Sequence, residues 1–325
     1  MRVGIDCRKI ADFGIGTYIR GLVHAMPELY VAFGPAGIDI PAGVEHVVVN
    51  APHYSLRELF ILGQAADGAR LDLFHAPHYV LPQMRTPSVV TIHDLIHLRR
   101  GLPQRMYART MMRRAVRRSR TVLTVSETVA REIATEFGAK NVVVTPNGVD
   151  PIYLEPQTSN VEPRTYFLYV GNDKPHKNVD AAVRAASALG TKLVLAGGSF
   201  DRFRQNAGVI CGGFVSQQEL ASLYRGAIAL VMPSVEEGFG IPAVEAMAAG
   251  TAVITSKAAA LVEITGGAAL HASDADLADA MRRVRDDAAL RASLIAAGRA
   301  RAAQFTWSEC ARRTRAAYES AIARA

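Results

Sequence analysis

Short runs of β-branched residues alternate with longer alanine- and leucine-rich stretches along the whole 325-residue chain. The runs are RVGID, HVVVN, DLFH, SVVTI, TVLTV and NVVVT in the first half, and YFLYV, KLVLAG, GVIC, AIALVM and TAVIT in the second. Strands separated by amphipathic helices pair in parallel, because each helix carries the chain back across the sheet. The pattern therefore predicts α/β architecture, in a chain long enough for two domains.

The segment PNGVDPIYLEPQTSNVEPRT, between the two halves, is rich in proline, asparagine and threonine. This composition indicates a linker. We predict two doubly wound, Rossmann-like domains, 1–153 and 154–306, that face each other across a cleft. Ligands of such sheets bind beyond the carboxyl ends of the strands, so the residues that follow each strand are the candidates for chemistry.

Composition narrows the class of protein. Half of the residues are hydrophobic, and the net charge of +7 is compatible with anionic substrates, nucleic acid or an anionic membrane surface. The three cysteines are odd in number and far apart, which predicts reduced thiols in a cytoplasmic protein and no zinc site. No signal peptide and no apolar stretch of membrane-spanning length is recognised, so the chain is expected to be soluble or at most peripheral.

The segment QRMYARTMMRRAVRRSR, residues 104–120, is densely basic. Such a segment can lie on anionic lipid headgroups at the inner face of a membrane. More often a stretch of this kind is the solvated face of a surface helix, and both alternatives stay open. Nucleic acid is not predicted as a partner, because the run lacks interleaved aromatic residues and no recognition motif accompanies it.

The segment EEGFGIPAVEAMAAG follows the run AIALVM. Gly238 and Gly240 allow a tight turn, and the free N–H groups of the following helix favour an anion. Glu245 lies among alanines, valine and methionine, where an unpartnered carboxylate is costly. It either compensates the helix dipole or points into a site where ligand hydroxyls satisfy it, as Glu237 can do eight residues earlier.

The segment GNDKPHKN follows YFLYV. Gly171 permits a close approach of the backbone to a ligand, and Lys174, His176 and Lys177 supply cationic donors. A lysine at a strand end is suited to clamp a diphosphate. The alternative is a solvated loop with ordinary charges.

Two further candidates lie in the first half. His93 and Asp94 follow SVVTI, where a histidine can hold a substrate hydroxyl, although a buried histidine satisfied by the backbone is an equal alternative. Gly14 and Gly16 open the helix TYIRGLVHAM. They do not complete a dinucleotide fingerprint, because Ile19 occupies the third glycine position, so NAD is not predicted.

No metal site is predicted. Asp274 and Asp276 form an Asp-x-Asp pattern, but HASDADLADAMRRV is typical of the capped start of an amphipathic helix. Ser273 or Asp274 is expected to be the cap.

The order of these motifs resembles retaining glycosyltransferases of the GT-B fold, family four. The region GFVSQQELASLYRGAIALVMPSVEEGFGIPAVEAMAAGTAVITS is similar to the donor-binding region of that family, whose hallmark is two glutamates separated by seven residues. GIGTYIRGL, VVTIHDL, VSETVARE, VVTPNGVD and YVGNDKPHKN also match. The resemblance implies an acceptor-binding first domain and a donor-binding second domain. It also implies that the last helix, 307–325, packs back on the first domain.

The resemblance implies roles for individual positions. Glu245 takes the ribose hydroxyls of a nucleotide-sugar, Glu237 holds hydroxyls of the transferred sugar, and Lys177 neutralises the diphosphate leaving group. His93 contacts the donor sugar. The other donor-binding positions are Gly16 near the phosphates, Gly171 and Asn172 after the strand, Phe214 and Val215 beside the base, and Gly238, Phe239 and Gly240, the last two through their backbone N–H groups.

The implied reaction is metal-independent transfer of a hexose with retention, by a front-face route in which the leaving phosphate helps to deprotonate the acceptor. No cofactor is implied. GDP-mannose is the first expected donor, followed by a UDP-sugar, and the acceptor is a glycan or a lipid-linked glycan.

One position departs from the family pattern. Many members carry an arginine where this chain has Asn172, so Lys177 lacks its usual cationic partner unless Lys174 or His176 compensates. A weakly active or silent nucleotide-binding protein therefore stays as an alternative. A sugar-nucleotide epimerase of the same fold is a second alternative, which the spacing of the glutamates disfavours.

Overall fold

The computed structural model describes residues 1–51, 56–155 and 164–324. The chain divides into two compact units, one formed by Met1–Gly148 with Trp307–Ala325 and the other by Val149–Thr306. Residues 149–153, predicted at the end of the first domain, thus belong to the second unit. The centre of the predicted linker, 156–163, lies outside the described residues.

In residues 1–51 and 56–148, the described part of the first unit before the linker, there are seven strands and four α-helices. The strands are β1 (Val3–Asp6), β2 (Tyr30–Gly34), β3 (Glu45–Val48), β4 (Leu73–Ala76), β5 (Ser88–Thr91), β6 (Thr121–Thr124) and β7 (Val142–Val144). The helices are α1 (Ile15–Ala25), α2 (Leu56–Gly68), α3 (Leu102–Arg118) and α4 (Glu127–Phe137). All strand pairs are parallel, in the order β3-β2-β1-β4-β5-β6-β7.

The second unit, as far as the structure describes it (149–155 and 164–306), has six strands and six α-helices. The strands are β8 (Tyr166–Val170), β9 (Lys192–Ala196), β10 (Val209–Gly213), β11 (Ala227–Met232), β12 (Ala252–Thr255) and β13 (Leu270–His271). The helices are α5 (Val179–Ala188), α6 (Gln217–Gly226), α7 (Ile241–Ala248), α8 (Ala259–Thr265), α9 (Leu277–Asp286) and α10 (Ala288–Ala302). This sheet is also parallel, in the order β10-β9-β8-β11-β12-β13.

The predicted α/β class and the eleven predicted strands are confirmed, and two strands were missed. β2 reads YVAFG, in which alanine and glycine weaken the β-branched signal. β13 has only two residues and exists because it pairs with β12. Both strands depend on their neighbours more than on their own composition.

The core of the first unit covers both faces of its sheet. Tyr30 and Ala32 of β2 belong to one buried cluster, whereas Val31 and Phe33 belong to another. Successive side chains of a strand point to opposite faces, so a strand covered by helices on both sides must be apolar throughout. This explains why the strands read as continuous hydrophobic runs instead of alternating ones.

The last helix, α11 (Trp307–Ala323), belongs to the first unit. The ring of Trp307 lies against Gly21 of α1, where any side chain would overlap it. Further along α11, Tyr318 is fully buried, and its hydroxyl contacts the hydroxyl of Tyr30 at 2.9 Å and Nδ1 of His75 at 2.6 Å. Glycine and tyrosine therefore fix two points at which α11 packs.

Two predictions from composition concern the state of the cysteines and the presence of membrane-spanning helices. Cys7, Cys211 and Cys310 are free thiols, the first and last of them buried. In the part of the chain that the structure describes, no helix combines the length and hydropathy that crossing a membrane requires.

Candidate functional site

The order of strands in the second unit reverses between β8 and β11, which places the loops after these two strands beside each other. Two hydrogen bonds join the loops: the Val235 N–H donates to the carbonyl of His176 (2.9 Å), and Asn178 Nδ2 donates to the carbonyl of Pro233 (3.3 Å). Asn178 has a positive φ of 52°. The two segments that carry the predicted cations and carboxylates thus form one structure.

The loop after β8 lies against the end of β9, backbone to backbone. A Cβ at Gly198 would lie 3.1 Å from the carbonyl oxygen of Gly171, and Gly171 itself has a φ of 150°. The Tyr169 hydroxyl donates to the carbonyl of Asn172 (2.8 Å), and the side-chain oxygen of Asn172 accepts from the Lys174 N–H (3.3 Å). Gly171 therefore serves packing of the loop, and Asn172 serves its turn.

Lys177 and Glu237 form an ion pair at this point. Lys177 Nζ lies 2.6 Å from Glu237 Oε1, and the two side chains are only 19% and 9% exposed. Lys177 ends a short 3-10 helix, Pro175–Lys177, whereas Lys174 is exposed. The sequence predicted a cation and a carboxylate separately, and the structure brings them into contact.

The Gly238-Phe239-Gly240 turn leads from Glu237 into α7. Gly240 adopts a φ of 89°, and a Cβ there would meet Leu261. The Phe239 side chain is buried against Phe305, with ring centroids 5.4 Å apart. The side chain of Phe239 is thus part of the core, while the predicted role of its backbone N–H stays a prediction.

Glu245 lies in the second turn of α7 and is partly buried. Its position excludes the alternative that it compensates the helix dipole, an effect confined to the first turn. Burial raises the pKa of Glu245 to about 7, although hydrogen bonds from Tyr224 and Tyr153 oppose the shift. The Tyr224 hydroxyl donates to Oε2 at 2.9 Å. The expected partner of this carboxylate is a hydroxyl, and the chain itself supplies one.

The two positions predicted beside a base follow β10, an edge strand that lies two strands away from β8. Phe214 and Val215 follow β10, whose last residue, Gly213, accepts a hydrogen bond from the N–H of Gly197 (2.7 Å). Phe214 is 71% exposed. An aromatic ring at the carboxyl end of a strand has the π face on which a base can stack, and the assignment of Phe214 to a base stays a prediction.

His93 lies in the first unit, directly after β5. Its Nε2 donates to the carbonyl of Pro77 (2.9 Å), and its ring packs edge-on against Tyr18 at 4.8 Å. Burial lowers the pKa of His93, so the neutral ring is favoured. Because a carbonyl oxygen can only accept, the neutral ring carries its proton on Nε2 and presents Nδ1 as an acceptor. Asp94 is used locally, where it accepts from the Ile96 N–H.

Gly14 and Gly16 stand at the start of α1. Gly14 precedes the helix with a φ of 54° and open space around its Cα. Gly16 is buried, and a Cβ there would overlap the carbonyl oxygen of Ile10. Close packing within its own loop thus requires glycine at 16, and its proximity to phosphates stays a prediction.

One cluster in the first unit has the composition of a metal site. Carboxylate oxygens of Asp6 and Glu58 and a nitrogen of His78 lie within 4.8 Å of one another, all buried. The guanidinium of Arg8 already fills the cluster, at 2.6 Å from Asp6 and 2.7 Å from Glu58. His78 Nδ1 accepts from the Val80 N–H, so Nε2 carries the proton and cannot bind a cation.

Electrostatics agree with this assignment. Burial disfavours the ionised form of Asp6, but hydrogen bonds from Arg8, and the His78 ring 3.4 Å away, which acts through its proximity, hold the pKa of Asp6 well below the usual range. The cluster is therefore an internal ion-pair network.

The helix cap predicted at Ser273 or Asp274 is wrong. The residue that precedes α9 is Asp276, and its side chain makes no capping hydrogen bond. Ser273 instead donates to the carboxylate of Asp276, and Asp274 accepts two hydrogen bonds from Asn178 (2.9 and 3.0 Å). Asp274 thus serves the loop that follows Lys177, a long-range role that local capping rules do not detect.

Sequence reasoning also missed Tyr153 and Tyr224, whose rings pack edge to face at 5.7 Å beside Glu245. Tyr224 lies beside Glu245 because its helix, α6, packs next to α7. A tyrosine at a buried helical position opposite a known buried carboxylate is the signal that could have found it.

Comparison with known proteins identifies the family. The family described as Glycosyl transferases group 1 matches residues 154–301, and Glycosyltransferase Family 4 matches residues 14–152. The O-antigen chain mannosyltransferase RfbU of Salmonella typhimurium is 31% identical over 83% of this chain and 80% of its own length. The O-antigen chain mannosyltransferase B of Escherichia coli is 27% identical over 76% and 74%.

Solved structures agree on the fold. Sucrose-phosphate synthase from Thermosynechococcus elongatus superposes with a TM-score of 0.83 at 20% identity, covering both chains completely. HepE of Anabaena, in complex with UDP-glucose, superposes with a TM-score of 0.79 at 17% identity, over 98% of this chain and 100% of its own. With two matching families, a relative above 30% identity and these structural neighbours, the chain belongs to the family-four, group 1 glycosyltransferases of the GT-B fold.

Proposed function

We propose that this glycosyltransferase moves a hexose, with retention, from a nucleoside-diphosphate sugar to a glycan or lipid-linked acceptor. The Lys177–Glu237 ion pair, 2.6 Å long at the point where the strand order reverses, carries the proposal. Mannose is the first candidate for the sugar, because the relatives RfbU and mannosyltransferase B are named mannosyltransferases. GDP-mannose is accordingly the first donor to test, and UDP-glucose the second, since HepE binds it.

In the proposed reaction Lys177 changes partners. Without donor it is neutralised by Glu237, so neither partly buried charge is left alone. A bound diphosphate offers Lys177 more negative charge, which frees the Glu237 carboxylate to accept hydrogen bonds from the hydroxyls of the sugar. As the bond to the leaving phosphate breaks, Lys177 stabilises the charge that develops there. In this scheme the lysine supplies the positive charge, and EDTA is expected to leave the rate unchanged.

Glu245 is proposed to accept hydrogen bonds from the ribose hydroxyls. This requires the carboxylate, and a pKa of about 7 means that the ionised fraction changes steeply near neutral pH. Between pH 8 and pH 6 this fraction falls about tenfold, so nucleotide affinity should fall by about the same factor. Titration calorimetry with GDP at several pH values measures it, and a flat profile for the wild-type protein would contradict the assignment.

His93 is proposed to accept a hydrogen bond from a hydroxyl of the donor sugar. The Pro77 carbonyl fixes the proton on Nε2, so Nδ1 is the atom that accepts. The proposal further places the reaction in the cytoplasm, and three free thiols are compatible with a reducing compartment.

A ligand screen tests the donor. Thermal unfolding is followed with GDP, GDP-mannose, UDP and UDP-glucose, and the best binder is then assayed for hydrolysis and transfer. Glu245→Ala is expected to weaken nucleotide binding about 10- to 100-fold, since hydrogen bonds to a charged group are lost. Glu319→Ala, an exposed glutamate of α11, is the matched control.

The outcomes separate the alternatives. Stabilisation by none of the nucleotides would refute the donor site. Stabilisation without hydrolysis or transfer would favour a silent nucleotide-binding protein, which the absence of an arginine at Asn172 had suggested. Epimerised sugar nucleotide as the product would favour the epimerase.

A further inference from the structure

The positive charge of the chain is concentrated in one segment. Residues 95–126 contain nine arginines and no aspartate or glutamate. The rest of the chain has 28 basic and 30 acidic residues, a formal net charge of −2. The basic character of the protein is therefore a local property of this segment, most of which is α3.

Helix α3 places its arginines where they repel one another. Its buried residues are Ala108, Met112 and Ala115, and the side turned to solvent carries a row of arginines four residues apart, at 105, 109, 113 and 117. Like charges at this spacing lie about one turn apart and destabilise a helix. A row of this kind is costly unless an external anion offsets the repulsion.

Few of these charges are neutralised within the protein. Arg109 pairs with Glu136 at 2.6 Å, and Arg114 donates to the carbonyl of Leu81 and to Gln83 Oε1. Among the described residues, no ion pair involves the other four arginines of α3, which are Arg105, Arg113, Arg117 and Arg118. A groove of about 420 Å³ runs along this helix and is lined by Arg109, Thr110, Arg113, Arg114, Arg117 and Arg118.

The same exposed side of α3 begins with apolar residues. Leu102 is 62% exposed and Met106 is 66% exposed, one turn apart at the start of the helix. Continuing at helical spacing leads to Arg109, Arg113 and Arg117. The surface thus has large apolar side chains at its amino-terminal end and guanidinium groups along the remainder.

We propose that α3 docks this protein on an anionic lipid bilayer. Leu102 and Met106 enter the boundary between headgroups and acyl chains, and the arginine row contacts lipid phosphates. A soluble polyanion would satisfy the arginines but not the two exposed apolar side chains, so the combination favours a bilayer. The docking does not rest on the proposed function, because it requires neither donor nor turnover.

Vesicle flotation tests the docking. The full chain is mixed with vesicles of phosphatidylcholine alone, or of equal parts phosphatidylcholine and phosphatidylglycerol. Binding is expected only to the second kind and should weaken as salt is raised. The double variant Arg113→Gln/Arg117→Gln should bind about 25-fold more weakly, since each basic residue near an anionic surface contributes roughly fivefold. Arg184→Gln/Arg283→Gln, two exposed arginines of the second unit, is the matched control.

A second variant tests the apolar contribution. Leu102→Ser/Met106→Ser should weaken flotation about tenfold and leave binding to a single-stranded oligonucleotide unchanged. Circular dichroism verifies that each variant is folded. Equal binding to both kinds of vesicle, or an unchanged Arg113→Gln/Arg117→Gln variant, would overturn the proposal. Flotation insensitive to the loss of Leu102 and Met106, combined with tight oligonucleotide binding, would assign the surface to nucleic acid instead.

Discussion

Beside its buried Asp6–Arg8–Glu58 ion pairs, the first unit buries a chain of neutral polar side chains, whereas the charged side chains of the candidate site in the second unit are only partly buried. In the first, Tyr30, Tyr318 and His75 are linked by hydrogen bonds, and His75 continues to Thr91 at 2.7 Å. In the second, Lys177 pairs with Glu237 and Glu245 accepts from Tyr224. The same physical cause, desolvation, acts on both sets with opposite results.

Desolvation lowers the pKa of His75 to about 3 and raises that of Glu245 to about 7. His75 is therefore uncharged throughout the physiological range. Glu245 lies at the midpoint of its titration, where a ligand that prefers one form selects it. A buried network whose hydrogen bonds are all made thus stabilises the fold, whereas an acid with a pKa near neutrality is suited to binding a ligand.

The largest effect expected from this difference is on turnover. Lys177→Met should lower kcat/KM about 10²- to 10³-fold, because one preorganised electrostatic group is lost from the leaving phosphate. Steady-state kinetics with the donor identified in the ligand screen measure it. Lys192→Met, at the exposed start of β9, is the control. If the Lys177→Met and Lys192→Met variants were equally active, Lys177 would have no role in catalysis and its ion pair with Glu237 would be purely structural.

The next effect is on the stability of the first unit. Tyr318→Phe leaves the partners of its hydroxyl, on Tyr30 and His75, without a buried hydrogen bond, and should lower the free energy of unfolding by about 2–3 kcal/mol. Trp307 is the only tryptophan and belongs to this unit, so its fluorescence during urea unfolding reports the change.

Because of His75, the stability of the first unit is expected to fall as the pH is lowered. Folded His75 takes up its proton only near pH 3, whereas the unfolded chain does so near 6.5. Between these values the unfolded state binds more protons, so the contribution of His75 is complete above 6.5 and is lost as the pH falls.

Tyr107→Phe, on α3, is the matched control for Tyr318→Phe. An equal loss in the free energy of unfolding in both variants would contradict the role assigned to the hydrogen bonds among Tyr30, Tyr318 and His75.

A smaller effect is expected on the stability of the second unit. Glu245 keeps its proton to about pH 7 when folded and loses it near 4.5 when unfolded, so its ionisation destabilises the fold as the pH rises through this window. Glu245→Gln should therefore stabilise the protein by about 1–2 kcal/mol at pH 8 and have little effect at pH 4. Thermal unfolding followed by circular dichroism measures both.

Glu219→Gln provides the opposite case in the same unit. Hydrogen bonds from Ser216 lower the pKa of Glu219, so its ionised form belongs to the folded state. This variant should lose a little stability at pH 8. A Glu245→Gln variant that behaved likewise would show that Glu245 is an ordinary structural carboxylate.

Much of the fold was predictable because its signals are local. Short β-branched runs predict eleven of the strands, and the helices between these runs predict that the strands pair in parallel. β2 and β13 were not predicted, because pairing with neighbouring strands stabilises them more than their own composition does. The cap predicted at Ser273 or Asp274 is wrong for a related reason, because Asn178, 96 residues away in the sequence, donates to the carboxylate of Asp274.

The candidate site divides in the same way. Sequence patterns were enough to predict which residues follow the strands, and therefore to predict Lys177, Glu237, Glu245 and His93 as ligand contacts. Three contacts could be read only from the three-dimensional arrangement: Lys177 pairs with Glu237, Tyr224 donates to Glu245, and the Pro77 carbonyl fixes the proton of His93 on Nε2. The physical reason is that strand order is set by periodic patterns along the chain. Charge pairing, burial and the pKa values that follow from them depend on side chains that the fold brings together from distant positions.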